Sequence, residues 1–105
     1  MKCYAVARIN VTDRGWVAEY ITKVTPMVER YGGRYLARTP QFEWLEGDGA
    51  LPQLMLLIEW PSREAAQGFY ESEEYWPFRE ARLQGSTGEF VLVAGEDVNR
   101  LATIS

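Results

Sequence analysis

The hydrophobic and polar positions of this chain follow two different periods, which predict strands in some segments and helices in others. Residues 3–10 alternate with a period of two, as expected for a β-strand with one buried face. One face of this strand would carry Tyr4, Val6, Arg8 and Asn10. Apolar residues between Trp16 and Tyr31 instead recur every three or four positions, which indicates an amphipathic helix.

Helix-capping residues and turn-forming residues mark where these elements begin and end. Thr12-Asp13 would cap the first helix at its N-terminus, and Gly32-Gly33 would end it. A second strand is predicted over residues 34–46, before the turn-forming Gly47-Asp48-Gly49.

The second half of the chain repeats the alternation of strand and helix. The apolar run Leu54–Trp60 reads as a third strand, which Pro61 ends because proline has no N–H for a strand ladder. Ser62 would cap the following helix, and Ser72 would cap a further helical segment. Residues 88–95 form the fourth predicted strand.

The predicted order is βαββαβ, which is the ferredoxin-like α+β arrangement. Its four-stranded antiparallel sheet has the spatial order 4-1-3-2 and carries both helices on one face. By strand parity, the helix side would hold Ala5, Ala7, Leu56, Ile58 and Trp60, and the open side would hold Tyr4, Val6, Arg8, Met55, Leu57 and Glu59. A half-apolar open face is a poor surface toward water, so the sequence favours a homodimer in which a second sheet covers it.

The composition of the chain limits which ligands, metals and partners it could bind. The 105 residues carry a net charge of −4, one cysteine and no histidine. The arginines are dispersed along the chain and form no basic patch of the kind that binds nucleic acid. No apolar run is long enough to span a membrane. A lone cysteine suits a cytoplasmic location, and without histidine we expect no metal and no cofactor. Residues 1–95 would form one domain, with 96–105 as a C-terminal tail.

Several segments resemble one small-domain family, in the same order along the chain. They are Val11-Thr-Asp13, Tyr31-Gly-Gly-Arg-Tyr-Leu-Ala-Arg38, Leu45-Glu-Gly47, Ile58-Glu-Trp-Pro-Ser-Arg-Glu-Ala-Ala66, Tyr70-Glu-Ser-Glu-Glu-Tyr75 and Arg79 to Arg82. The chain thereby resembles domain-of-unknown-function family 1330, within the dimeric α/β-barrel group, over about residues 2–95. The resemblance implies a dimer whose facing sheets enclose a barrel-like cavity. It implies no activity, because the family has none assigned.

Glu59 is the main catalytic candidate, because it is a carboxylate in an otherwise apolar strand. It would act as an acid, a base or a ligand anchor. The alternative is a structural ion pair with an arginine, for which Arg38 is favoured and Arg8 is second. Arg38 would either neutralise Glu59 or bind an anionic or carbonyl group of a ligand, and Arg8 is a further ligand-binding candidate.

The remaining candidates are aromatic or hydrogen-bonding residues. Tyr75, Trp76, Arg79 and Arg82 would form a pocket lid for a flat organic ligand, or pack as ordinary core. Tyr4 and Tyr75 are further candidates for proton transfer. Tyr4 and Asn10 would donate hydrogen bonds within a cavity or serve a structural role at a strand edge.

Three functions fit these observations. The first is a homodimer that binds a small organic molecule in a cavity between sheet and helices, acting without a metal if it is an enzyme. The second is a non-catalytic ligand sensor or accessory protein. The third is a purely structural dimer with a filled interior.

Overall fold

A computed structural model describes residues 1–47 and 49–95 of the chain. Its elements are β1 (Cys3–Val11), α1 (Val17–Arg30), β2 (Arg34–Thr39), β3 (Leu54–Trp60), α2 (Arg63–Tyr70), α3 (Trp76–Gly85) and β4 (Ser86–Ala94). The strands form one antiparallel sheet in the order β2-β3-β1-β4. The predicted ferredoxin-like α+β fold and its strand order are therefore confirmed. The predicted tail, residues 96–105, lies outside the described residues.

Strand parity places the core as predicted. Alternate residues of β1 and β3 are buried on the helix side: Cys3, Ala5, Ala7, Ile9, Leu56, Ile58 and Trp60. The helices add Val24, Val28 and Phe69 to the same cluster. The small Cys3 and Ala5 of β1 share this cluster with the larger Trp60 and Tyr75.

The corner between β3 and α2 forms as its sequence indicates. The Ser62 hydroxyl accepts a hydrogen bond from the Ala65 amide at 3.0 Å, which satisfies a free N–H of the first helical turn. Ser72 acts in the same way ahead of α3, because its hydroxyl accepts from the Tyr75 amide at 3.1 Å.

Three predicted boundaries were wrong. The first helix begins at Val17, because the Thr12 and Asp13 amides both bond the Gly85 carbonyl, at 2.9 and 3.1 Å, and continue the sheet edge. The second strand ends at Thr39 and does not reach residue 46, since Pro40 has no N–H to pair. The fourth strand begins at Ser86 rather than at residue 88, directly where α3 ends.

An irregularity in β2 decides where its side chains lie. Tyr35 pairs with Ile58, but Ala37 pairs with the next residue, Leu57, so Leu36 is an extra residue in a β-bulge. A one-residue insertion reverses parity for the rest of the strand. Arg38 therefore pairs with Leu56, a helix-side residue, and leaves the open face.

No helix within residues 1–47 and 49–95 is long and apolar enough to cross a membrane.

Candidate functional site

A cavity of about 340 Å³ lies between the helices and the sheet. Its apolar wall comes from both layers and includes Val24, Ile58, Trp60, Phe69 and Phe90. Four tyrosines also line it: Tyr20, Tyr35, Tyr70 and Tyr75. Aromatic faces with a small number of hydroxyl groups are typical of a binding site for an organic molecule.

Tyr75 is placed in this cavity, in contact with the core aromatic rings. Its side chain is 1% exposed, and its ring stacks on Phe69 with centroids 4.3 Å apart. Its hydroxyl lies 2.5 Å from the hydroxyl of Tyr20. Burial, and then the neighbouring Tyr75, raise the pKa of Tyr20 well above its usual value, so the Tyr20 hydroxyl is neutral at physiological pH.

Arg82 approaches the same tyrosines from α3. It is 6% exposed, and its guanidinium carbon lies 4.7 Å from the centroid of the Phe90 ring. Burial lowers the pKa of Arg82, but Tyr75 and Tyr20 outweigh that effect and the net shift is upward. Arg82 therefore brings a permanent positive charge close to the tyrosine hydroxyls.

Arg38 does not pair with Glu59, so the favoured partner for that carboxylate was wrong. The bulge at Leu36 turns Arg38 toward the helices, where its Nη1 donates to the Thr25 hydroxyl at 2.9 Å. Its guanidinium lies 4.6 Å from the centroid of the Tyr35 ring. Burial raises the pKa of Tyr35, and the Arg38 charge opposes that rise. Arg38 thus lies over a tyrosine of the cavity wall.

Glu59 lies on the open face of the sheet, as parity predicts, and forms ion pairs at 3.5 Å with Arg34 and with Lys2. Arg34 is its direct cross-strand neighbour in β2. The prediction of a neighbouring arginine is right, but it named the wrong residue. Arg8, the second choice, pairs instead with Glu89 at 2.6 Å, because these two residues face each other across β1 and β4.

The other predicted residues have separate surroundings. Tyr4 lies next to Glu59 on the open face. The Asn10 side-chain oxygen accepts from the Gln53 amide at 2.9 Å and holds the β2–β3 loop to β1. Trp76 is 55% exposed. Arg79 donates to the Tyr70 carbonyl at 2.6 Å and lies over that ring.

The structure thus groups Tyr75 and Arg82 and separates them from Glu59 and Tyr4 by the thickness of the sheet. The sequence did not predict Tyr20, Tyr35 or Tyr70 as residues of this cavity. The sequence did hold an indication for Tyr20. This residue shares the apolar face of its helix with Val24, and its hydroxyl needs a hydrogen-bond partner once it is buried. Among residues 1–47 and 49–95, no three acidic or cysteine side chains converge as metal ligands would.

Comparisons with known proteins agree on the fold. The family model described as a domain of unknown function, DUF1330, matches residues 2–96. No curated protein matches the chain. A protein of unknown function from Rhodopseudomonas palustris is 15% identical with a TM-score of 0.75, covering 91% of this chain and 83% of its own.

Two oxygenase structures are similar as well. SnoaB, a cofactor-independent oxygenase from Streptomyces nogalater, is 15% identical with a TM-score of 0.65, over 91% of this chain and 94% of its own. An antibiotic biosynthesis monooxygenase is 17% identical with a TM-score of 0.58, over 92% of this chain and 100% of its own. At such identities the likeness is one of fold.

Proposed function

This chain belongs to the DUF1330 family of domains of unknown function, and we propose that it binds a flat, largely apolar organic molecule in the cavity between its helices and its sheet. The observation that carries the proposal is the cavity itself. Its volume of about 340 Å³ lies within the range of about 300–1,000 Å³ typical of ligand sites. An aromatic wall would stack on the ligand, and the Tyr20 and Tyr75 hydroxyls would orient its polar end.

We further propose that the protein works as a homodimer. The open face carries an apolar row across the sheet, in which Leu57, Val6 and Val91 are direct neighbours. Charged rows flank it on both sides, with the Arg34–Glu59 pair in one and the Arg8–Glu89 pair in the other. An apolar centre with a polar rim is the usual anatomy of an interface between copies.

In such a dimer, Glu59 and Tyr4 would lie between the two sheets rather than in the helix–sheet cavity. Any role for them in ligand binding or proton transfer would then belong to that second space. A cytoplasmic location is part of the proposal, since Cys3 is a buried free thiol that a reducing compartment preserves.

The ligand proposal is tested by screening planar aromatic compounds against the purified protein for a rise in melting temperature, with native mass spectrometry to detect co-purified molecules. Binding should also change the fluorescence of Trp60, which lines the cavity. Ala66→Leu adds carbon atoms at the cavity wall and should abolish binding. Ala37→Leu, on the open side of β2, is the matched control and should retain it.

The proposal fails if no compound binds, or if a bound compound is insensitive to Ala66→Leu. In that case the filled, purely structural dimer becomes the better description.

Catalysis without a metal is a second candidate function, favoured by the buried hydroxyl pair. Tyr75 would be the group that donates or accepts a proton, with Tyr20 as its partner. SnoaB, which shares the fold, is described as a cofactor-independent oxygenase. Once a ligand is identified, incubation with the protein in air and mass spectrometry of the products would test this. Tyr75→Phe should bind the ligand and fail to convert it, whereas a sensor would give no conversion with either protein.

A further inference from the structure

The contact between Tyr20 and Tyr75 leaves one hydrogen-bond donor unused. Each phenol carries one hydrogen that it can donate and lone pairs that can accept. Between the two oxygens, 2.5 Å apart, one hydroxyl donates and the other accepts, so only one of the two hydrogens is used. Among residues 1–47 and 49–95, neither hydroxyl has another hydrogen-bond partner. The second hydrogen therefore has no acceptor in this part of the chain, and a buried donor of this kind favours an acceptor from outside it.

The polar groups of the cavity wall differ in their burial. Gln67 is half-buried and Glu71 is exposed, and both line the cavity together with Leu92, which is 41% exposed. These residues mark the side on which the cavity meets water. Tyr75 is buried and Tyr20 is half-buried, so the hydroxyl pair belongs to the inner part of the wall. A polar group of a ligand that reaches the pair loses its hydration and needs a hydrogen bond in exchange.

The charges around the cavity favour a neutral group at the hydroxyl pair. Among the described residues that line the cavity, only Glu71 is charged, and its carboxylate at the exposed side repels anions. Burial raises the pKa of Tyr20, whereas the positive charge of Arg82 lowers it, so that charge reaches the Tyr20 hydroxyl and would repel a cation beside it. Arg82 does not itself line this cavity, and its Nε and Nη2 are buried, so it offers no direct pair to an acid.

We propose that the ligand of the helix–sheet cavity carries a neutral hydrogen-bond acceptor without a hydrogen of its own, such as the carbonyl oxygen of an aromatic ketone, which accepts the free hydrogen of the Tyr20–Tyr75 pair. The flat apolar body of the ligand occupies the aromatic part of the cavity. This rests on the proposed function, because it assumes that the cavity binds a small molecule. It adds the chemical class of that molecule and assigns the hydroxyl pair as the group that selects it.

The test compares two probes of the same shape, 2-acetonaphthone and 2-isopropenylnaphthalene, in which a C=CH2 group replaces the C=O group. Equilibrium dialysis gives the ratio of ketone affinity to hydrocarbon affinity for each protein. The double variant with Tyr20→Phe and Tyr75→Phe keeps both rings and leaves neither hydroxyl unpaired, so it should fold. Its ratio should be about two- to tenfold lower than that of the natural protein, as expected for the loss of one neutral hydrogen bond. Tyr4→Phe, on the open face, should leave the ratio unchanged.

A spectroscopic measurement tests the same contact without a variant and decides the question if the double variant does not fold. The carbonyl stretch of bound 2-acetonaphthone, identified by carbon-13 labelling, should lie at a lower frequency than in an apolar solvent, because a hydrogen bond weakens the C=O bond. An unshifted band, an unchanged ratio in the double variant, or the same fall in ratio with Tyr4→Phe would overturn the inference while leaving cavity binding intact. Absence of binding by both probes, or binding unaffected by Ala66→Leu, would overturn the cavity function and the inference together.

Discussion

The hydroxyl of Tyr20 lies 2.5 Å from the hydroxyl of Tyr75, and this contact joins the first turn of α1 to the residue that precedes α3. The two residues are far apart in sequence, so the contact forms only when both helices pack on the sheet. It places two hydroxyl groups within hydrogen-bond distance in a largely apolar interior. This hydrogen bond stabilises the fold while the Tyr20 hydroxyl is protonated, and the buried site opposes folding once that hydroxyl must ionise.

The first prediction is that the free energy of unfolding falls steeply as the pH rises above 10. The fall should be larger than ionisation of exposed tyrosines alone would produce. Burial raises the pKa of Tyr20 above the value of 10.0 that it has in the unfolded chain. Between these two pKa values the unfolded state releases a proton and the folded state does not, so the free energy of unfolding falls as pH rises. One such proton gives a slope of up to about 1.4 kcal/mol per pH unit. Urea unfolding at a series of pH values between about 8 and 11.5 measures this slope.

Tyr20→Phe should reduce this alkaline slope, although it costs about 1–3 kcal/mol at neutral pH by leaving the Tyr75 hydroxyl unpaired. Tyr4→Phe, on the opposite side of the sheet, is the control variant. An alkaline slope that is the same in both variants would show that Tyr20 is not the group responsible.

A second prediction contrasts two glycines. A Cβ at Gly33 would lie 2.6 Å from Val28 Cγ1 and 2.9 Å from the Trp60 ring, and both side chains are fully buried. Gly33→Ala should therefore destabilise the fold by about 1–3 kcal/mol through overpacking. Gly68 lies within α2 with no atom near its added Cβ. Gly68→Ala should stabilise by about 0.5–1 kcal/mol, because alanine favours the helix.

Thermal unfolding of both glycine variants measures the contrast. A Gly33→Ala protein as stable as the natural one would mean that Val28 and Trp60 can move apart at little cost, and the core would be less tightly packed than the contacts indicate.

The sequence predicted those features that depend on local chemistry and strict periodicity. The end of β3, the Ser62 cap and the two faces of β1 all follow from adjacent residues, and the structure confirms each of them. The ion-pair partner of Glu59 could not be predicted from adjacent residues. It depends on the bulge at Leu36, and nothing in the sequence around that residue marks an inserted position.

The candidate site was predicted less well than the fold, because it is assembled from residues that are distant in sequence. Tyr75 and Arg82 stood out in an aromatic, arginine-containing segment. Tyr20 and Tyr35 come from other elements, and only tertiary packing brings them to the same cavity.

The proposed homodimer gives a third prediction, which concerns the apolar row of the open face. Leu57 is 38% exposed at the centre of that row. Leu57→Glu should convert a dimer to a folded monomer, because dimer formation would bury one unpaired carboxylate from each copy. Leu83→Glu, at a 51% exposed position on α3, should remain dimeric. Light scattering at micromolar concentration and circular dichroism distinguish these outcomes. A monomeric natural protein would refute the dimer directly.

The last prediction concerns Glu59 and its corrected partner. A double-mutant cycle of Glu59→Gln and Arg34→Gln, followed by urea unfolding, should give a favourable coupling energy. For a pair at 3.5 Å with an exposed arginine, about 0.2–1 kcal/mol is expected in the isolated subunit. Coverage by a second sheet would remove water from the pair and increase the coupling. The cycle is therefore best measured in the natural background and again in the monomeric Leu57→Glu background.

The same cycle with Arg38→Gln should show no coupling to Glu59, because the bulge at Leu36 places Arg38 on the helix side of the sheet. Coupling to Arg38 instead of Arg34 would mean that β2 pairs without its bulge and that Arg38 lies on the open face. In that arrangement Arg38 would also leave the Tyr35 ring, and the positive charge beside this wall of the cavity would be lost.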